Sequence, residues 1–418
     1  MSISSQPSWA PGVYLLFATR MVRLFAYGSL SLILVLYLVE VGLSEQETGL
    51  LLTMTLVGDT LISLWVTTTA DRIGRKRMLI AGSALIVLGG VVFAGTSSFV
   101  PLLLAATIGV ISPSGNEVGP FLAIEQAALA DSVPAKDRTR MFAWYHLAGS
   151  LATAAGALAC GALVQLLESC EVPPRQSFRI VLWAYGAAGL LLAGLFTRLS
   201  RAAEAGNVPR GADGAPVRLG LLGLHRSRGV VLTLSALFAL DAFAGGFVLQ
   251  SVVAYWFYVR FGADPVVLGA TFFGANLLAG FSALAAAALA RRVGLINTMV
   301  FTHVPSNLLL ILIPFMPTLP SAVAVLLIRF AISQMDVPAR HSYTAAAVDP
   351  DERSAAAGIT GVARTTGAAV APVLAGLLLA APALAGAPFV VAGVLKLVYD
   401  GLLYRLFRSA TLPEEVKI

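Results

Sequence analysis

Apolar residues run in long blocks along the chain, each near the length of a bilayer-crossing helix. Short turns carrying charges, glycine or proline separate them. A span needs about 20 mostly apolar residues. Only helices and closed barrels satisfy their own backbone groups in lipid, and barrel strands would alternate polar and apolar positions. The blocks do not alternate, so they predict helices. Six are expected to start near Val13, Gln46, Met78, Val100, Met141 and Phe178, and six more near Gly229, Val266, Gly294, Pro320, Ser354 and Pro388. The fold class this predicts is an all-α integral membrane protein with twelve transmembrane helices.

Composition narrows the function classes. The 418 residues are 58% hydrophobic and 12% charged, against roughly 25% charged in soluble domains. So few charges cannot coat a soluble chain of this size, which excludes a soluble enzyme, a disordered protein and a coiled coil. The net charge of +6 reads as basic cytoplasmic loops rather than as a nucleic-acid surface. If both termini lie inside, 19 Lys and Arg residues fall in inside loops, three (Arg175, Arg179, Arg260) in outside loops and six within spans. That asymmetry predicts a multi-pass protein of the cell membrane with both termini cytoplasmic. Two cysteines, Cys160 and Cys170, form no metal or disulfide pattern, and no cofactor or metal is expected.

The chain repeats itself. YLVEVGLSEQETG and FYVRFGADPVVLG occupy equivalent places, so that Gly42 and Gly49 map onto Gly262 and Gly269 at an offset of 220. Later the offset is 215, carrying Gly161 onto Gly376 and Glu125 onto Arg340. The polar, Gly-, Pro- and Arg-rich stretch between the sixth and seventh blocks reads as a linker. The expected organisation is a six-helix bundle over 1–200, a cytoplasmic linker over 201–227 and a second six-helix bundle over 228–418. Parallel repeats of this kind mark one large class of transporter folds.

Between the second and third spans stands TTTADRIGRKRM. Here the chain resembles the major facilitator superfamily, whose corresponding loop carries G-x-x-x-D-[RK]-x-G-[RK]-[RK]. Asp71, Arg72, Gly74, Arg75 and Lys76 fill the pattern, with Thr67 at the leading glycine. The resemblance implies two pseudo-symmetric six-helix bundles and a cytoplasmic gate in which Arg75 and its neighbours reach carboxylates across the half interface. It also implies a central cavity lined by the first, fourth, seventh and tenth spans. In the eleventh span, Gly367, Ala371, Pro372, Ala375 and Gly376 resemble a degenerate form of a pattern from proton-coupled exporters. Tight helix packing alone also explains small residues there. The family's fourth span often carries an arginine linked to proton coupling; this fourth span has none.

Ionisable residues within spans tend to line cavities or pair. The candidates for the cavity are Arg23, Glu117, Glu125, Asp241, Arg329, Asp336, Arg340, His341 and Arg364. At about 100° per residue, Arg329, Asp336 and Arg340 fall on one helix stripe. Pro113 and Pro120 should kink the fourth span around Glu117. A carboxylate among Glu117, Glu125 and Asp336 is expected to trade protons as the cavity alternates; static pairing is the competing reading. Lys396 and Asp400, four apart, are expected to pair with each other.

The expected function is therefore secondary active transport by alternating access, not enzymatic catalysis, with protons and a small molecule as partners and the bilayer as surroundings. Proton-coupled efflux of a small organic or toxic compound by a monomer is the favoured form. The in-span arginines favour instead uptake or exchange of a small polar or anionic solute. A third reading is a non-transporting membrane sensor or assembly protein.

Overall fold

A computed structural model describes residues 11–116, 121–133, 135–199, 226–349 and 352–408. The expected linker lies almost wholly outside the described residues. The first half comprises α1 (Pro11–Glu40), α2 (Glu45–Ile73), α3 (Arg75–Gly95), α4 (Phe99–Ile108), α5 (Phe121–Ser132), α6 (Ala135–Ser169) and α7 (Pro174–Thr197). The second comprises α8 (Arg228–Gly246), α9 (Gln250–Phe261), α10 (Pro265–Val293), α11 (Leu295–Leu312), α12 (Leu319–Ile332), α13 (Asp336–Ala346), α14 (Arg353–Leu379) and α15 (Ala387–Phe407). Among the described residues, eleven helical stretches are long and apolar enough to cross a membrane. The fourth span is the pair α4 and α5, whose first piece is a short apolar helix. Twelve spans in two six-helix bundles result, as the apolar blocks predict.

Turn chemistry repeats with the halves. Ser44 and Glu47 form reciprocal bonds at the start of α2, with Ser44 N donating to the Glu47 carboxylate at 2.9 Å and Glu47 N to Ser44 Oγ at 3.2 Å. This is a capping box. At the equivalent place in the second half, Asp264 accepts Val267 N at 2.8 Å and caps α10. Gly74 and Gly294, also equivalent, have φ of +104° and +86°, a region that only glycine enters freely. The motif glycine therefore has a backbone reason, since it turns the chain between α2 and α3.

Three spans are broken. The fourth opens after Ile108, around Pro113, where Gly115 has φ of +71°. The tenth opens between Ile332 and Asp336, and the seventh between Gly246 and Gln250. The first span is continuous over 30 residues.

The halves meet at the face opposite the chain termini, called here the distal face. A Cβ on Gly49 would lie 2.6 Å from the Pro372 carbonyl oxygen and 3.0 Å from Gly376 Cα. A Cβ on Gly161 would lie 2.3 Å from the Pro265 carbonyl oxygen and 3.1 Å from Gly269 Cα. These two contacts are copies of one another under the internal repeat, α2 on α14 and α6 on α10. Backbones approach this closely only where side chains are absent. Tyr255 Oη donates to Glu45 Oε1 at 2.8 Å and Val373 N to Thr53 Oγ1 at 3.0 Å, both across the same interface. Toward the termini the halves draw apart. His146 of α6 and His341 of α13 lie within electrostatic reach across the gap, yet both are exposed.

This geometry predicts that branched side chains at either glycine pair open the distal face. In a background lacking Cys160 and Cys170, a Ser31→Cys thiol is expected to resist a membrane-impermeant maleimide applied from the distal side. Gly49→Val or Gly161→Val should expose it, whereas Gly194→Val, with open space before it, should not. Continued protection in both interface variants would show that the glycine contacts do not hold the seal.

Candidate functional site

Glu125 of α5 and Arg23 of α1 are fully buried in the first half. The two make a bidentate pair, Nη1 to Oε1 at 2.9 Å and Nη2 to Oε2 at 2.6 Å. Thr19 Oγ1 donates to Oε1 at 3.1 Å, and Tyr145 of α6 donates its hydroxyl to Oε2. Arg23 also lies over the Phe121 ring, 4.4 Å from its centroid, and Arg20 over the Tyr145 ring at 4.3 Å. Every lone-pair direction of the Glu125 carboxylate is occupied. A planar fork matched to a carboxylate is the strongest pairing available to these groups.

Asp241 of α8 holds the second half together. Lys396 Nζ of α15 lies 2.5 Å from its Oδ1, and Arg340 Nη1 of α13 lies 3.2 Å from its Oδ2. Arg364 of α14 approaches Oδ2 at 3.8 Å, and His303 Nε2 of α11 approaches Oδ1 at 3.8 Å. The other face of His303 meets Asp400, Nδ1 to Oδ1 at 2.8 Å, and Asn307 Nδ2 donates to Asp400 Oδ2 at 2.9 Å. Asp336 pairs with Arg340 at 3.5 Å, one helical turn apart. Four helices thus converge on one carboxylate.

The helix contacts refine the repeat. Gly28 packs on Thr153, and Gly246 packs on Ala368. In this layer the first and seventh spans are therefore offset by 218 while the fifth and eleventh are offset by 215. By the same offsets Arg23 corresponds to Asp241 and Glu125 to Arg340. Each half carries one buried ion pair between its first and fourth spans, and the polarity is reversed between halves. The offset of 220 resumes beyond the break between α8 and α9, which takes up the two additional residues.

The broken backbones meet at mid-depth. Ser251 N, in the first turn of α9, donates to the Pro113 carbonyl oxygen at 3.1 Å. Gln250 Nε2 donates to Ser31 Oγ at 2.9 Å and its Oε1 accepts from Asn276 Nδ2 at 3.1 Å. Thr153 Oγ1 donates to the Gly115 carbonyl oxygen at 3.3 Å. Irregular backbone at membrane depth is tolerated where it is held by protein or lines a cavity. Here it forms a polar belt beneath the sealed distal face.

Several expectations change. The tenth-span stripe is interrupted: Arg329 ends up on α12 and Asp336 on α13, so one helical wheel does not relate them. The break at Ser333–Met335 lies just ahead of Pro338, which cannot donate to the carbonyl of Gln334 four residues back; that proline is the signal in the sequence. Lys396 bonds Asp241, not Asp400, because a carboxylate on α8 lies closer than the one a turn away on α15. Glu117 lies outside the described residues, as do the side chains of Asp71 and Arg72. Lys76 Nζ donates to the carbonyls of Thr197 at 2.6 Å and Leu199 at 3.3 Å. That bond caps the end of α7 within the first half, and Arg75 beside it is buried. His303, Asn307 and Lys396 were missed as cavity-wall partners; the signal present was their depth within apolar blocks.

Comparison with known proteins follows this geometry. Residues 16–335 match the Major Facilitator Superfamily. The chain is 29% identical to an uncharacterized membrane protein of Saccharomyces cerevisiae, YJR124C, over 391 residues, covering 88% of this chain and 87% of the relative. Among solved structures it is similar to a bacterial homolog of the human lysosomal transporter Spinster in an inward-facing, unoccupied conformation. The TM-score is 0.72 and the identity 18%, over 96% of this chain and 97% of that one. It is also similar to a D-xylose–proton symporter, with TM-score 0.70 and 16% identity over 96% and 98% of the two chains.

Removing one member of a buried ion pair strands the other. Arg23→Ala is therefore expected to lower stability by about 3–5 kcal/mol, and Arg23→Met with Glu125→Leu should recover most of it. Thermal unfolding of the detergent-purified protein measures both. An equal loss in the double variant would locate the cost elsewhere.

Proposed function

The chain belongs to the major facilitator superfamily, and we propose that it is a proton-coupled secondary transporter of a small organic solute, working by alternating access as a monomer in the cell membrane. The observation that carries this reading is the asymmetry of closure. The halves touch backbone to backbone at the distal face through Gly49–Gly376 and Gly161–Gly269, and part toward the termini. The excess of basic residues in the loops on the terminal side supports a cytoplasmic location for that face, which makes the described conformation inward-open. Of the in-span charged and titratable side chains on the second half, Arg364 is 35% exposed and His341 is exposed, so these are the ones a solute entering from the cytoplasm would meet first. Closing the terminal side while separating the glycine contacts would complete the cycle.

Among the acids considered for proton transfer, Asp336 is best placed. Glu125 is held by Arg23, Thr19 and Tyr145, and Asp241 by Lys396 and Arg340 with Arg364 nearby. Among the described residues Asp336 has a single ion pair, at 3.5 Å, with an arginine that Asp241 also holds. A carboxylate sharing its counter-ion in this way gains or loses ionisation as the sharing changes. Export is supported by the pattern Gly367, Ala371, Pro372, Ala375 and Gly376. Two of its glycines also serve as helix contacts, Gly367 on Ala239 and Gly376 on Gly49, so direction is a matter for flux measurement. Uptake or exchange of a polar anion is favoured by one specific observation, the four bases on the second-half wall.

Purified protein in liposomes, challenged with a compound panel while internal pH is followed, tests the proposal. Solute-driven proton movement is expected in the native protein and lost in Asp336→Asn, with solute exchange across the membrane retained. Proton movement unchanged in both Asp336→Asn and Glu125→Gln would remove the proton-carrier assignment. Absence of flux for every compound would favour the sensor reading.

A further inference from the structure

The second half carries more positive charge at membrane depth than its acids neutralise. Its described in-span residues include four bases, Arg329, Arg340, Arg364 and Lys396, and three acids, Asp241, Asp336 and Asp400. Asp400 is engaged by His303 and Asn307, away from the arginines. Lys396 and Arg340 take the two oxygens of Asp241 at 2.5 and 3.2 Å, and Arg340 also takes Asp336. That leaves Arg329 and Arg364.

Among the described residues both keep donors without an acceptor. Arg329 forms no ion pair there, its guanidinium lies over the Phe330 ring at 5.1 Å, and its buried Nε makes no hydrogen bond. Among the described residues Arg364 has only the 3.8 Å approach to Asp241, and its buried Nη1 makes no hydrogen bond there. Both guanidinium groups lie within electrostatic reach of the same two acids, Asp241 and Asp336. The Arg364 side chain is 35% exposed, and His341, beside Arg340, is exposed in the opening between the halves. An in-span arginine without a counter-charge is expensive, and a planar, five-donor cation is the group best suited to grip a carboxylate.

We propose that the second half binds the carboxylate of a small organic anion between Arg329 and Arg364, with Arg364 exchanging its distant contact to Asp241 for the ligand. Asp241 keeps Lys396 and Arg340, so the helix junction it holds survives the exchange. The ligand's charge completes the neutralisation of the four bases. A lipophilic cation would add to the positive excess among the described in-span residues of the second half. The assignment deepens the transport reading and rests on it for movement across the membrane, but the binding step stands apart from flux.

Thermal unfolding of the full chain in detergent tests it without transport. The probes are a set of aliphatic and aromatic monocarboxylates, each with its neutral amide, together with sodium chloride and phosphatidylglycerol. At least one carboxylate is expected to raise the Tm of the native protein while its amide does not. Arg329→Gln and Arg364→Gln should each weaken that ligand by about tenfold or more. Arg329→Gln should also raise the Tm of the ligand-free protein, because it removes an in-span charge that has no ion-pair partner among the described residues. A lowered ligand-free Tm in Arg329→Gln, an equal response to carboxylate and amide, no response to any carboxylate, or a response only to chloride or to the lipid would each overturn the proposal. Carboxylate binding that follows this pattern in a protein that moves no solute in liposomes would leave the anion site standing and remove the transporter reading.

Discussion

A charge held at membrane depth needs an opposite charge on a neighbouring helix, because lipid offers neither water nor counter-ions. In this chain that requirement selects which helices converge. Asp241 draws α13, α14, α15 and α11 toward α8 through Arg340, Arg364, Lys396 and His303. Glu125 does the same for α1 and α6 through Arg23 and Tyr145. Apolar packing fills the space around these points, but apolar contact in a bilayer is non-specific, since lipid tails are as greasy as leucine. The ion pairs supply the registry that hydrophobicity cannot.

The two halves solve this problem with opposite signs. Arg23 faces Glu125 in one, and Asp241 faces Arg340 in the other, at positions related by the internal repeat. Reversal gives each bundle its own ion pair at that level while making the two halves chemically unlike. The first-half pair is closed, with both partners fully buried and every acceptor used. The second-half cluster is open-ended, with more bases than acids and an arginine reaching the gap.

Much of the architecture was legible in the sequence because membrane-spanning helices advertise themselves by length and composition. The twelve blocks, the repeat and the turn glycines Gly74 and Gly294 all have physical causes that are local in the chain. Pro113 likewise announced the break of the fourth span. What was not legible depends on distance between helices. Lys396 finds Asp241 across a helix interface and passes over Asp400 on its own helix, which no spacing rule anticipates. The break after Ile332 lies just ahead of Pro338, and a helical wheel drawn through Arg329 and Asp336 ignores the hydrogen bond that this proline removes. The shift from an offset of 218 to one of 220 emerges only when the contacts of Gly28 and Gly246 are compared.

That two-residue shift has a mechanical consequence. The first span is one unbroken rod of 30 residues, whereas its counterpart is jointed between Gly246 and Gln250. A rod can only tilt as a whole, so any movement of Arg23 is transmitted undiminished to the distal end of its helix. A jointed lever can bend at the elbow, so Asp241 can follow its cations while α9 stays docked against Pro113 and Ser31. The halves are twins in outline and unequal in compliance: one serves as the frame, and the other has room to respond.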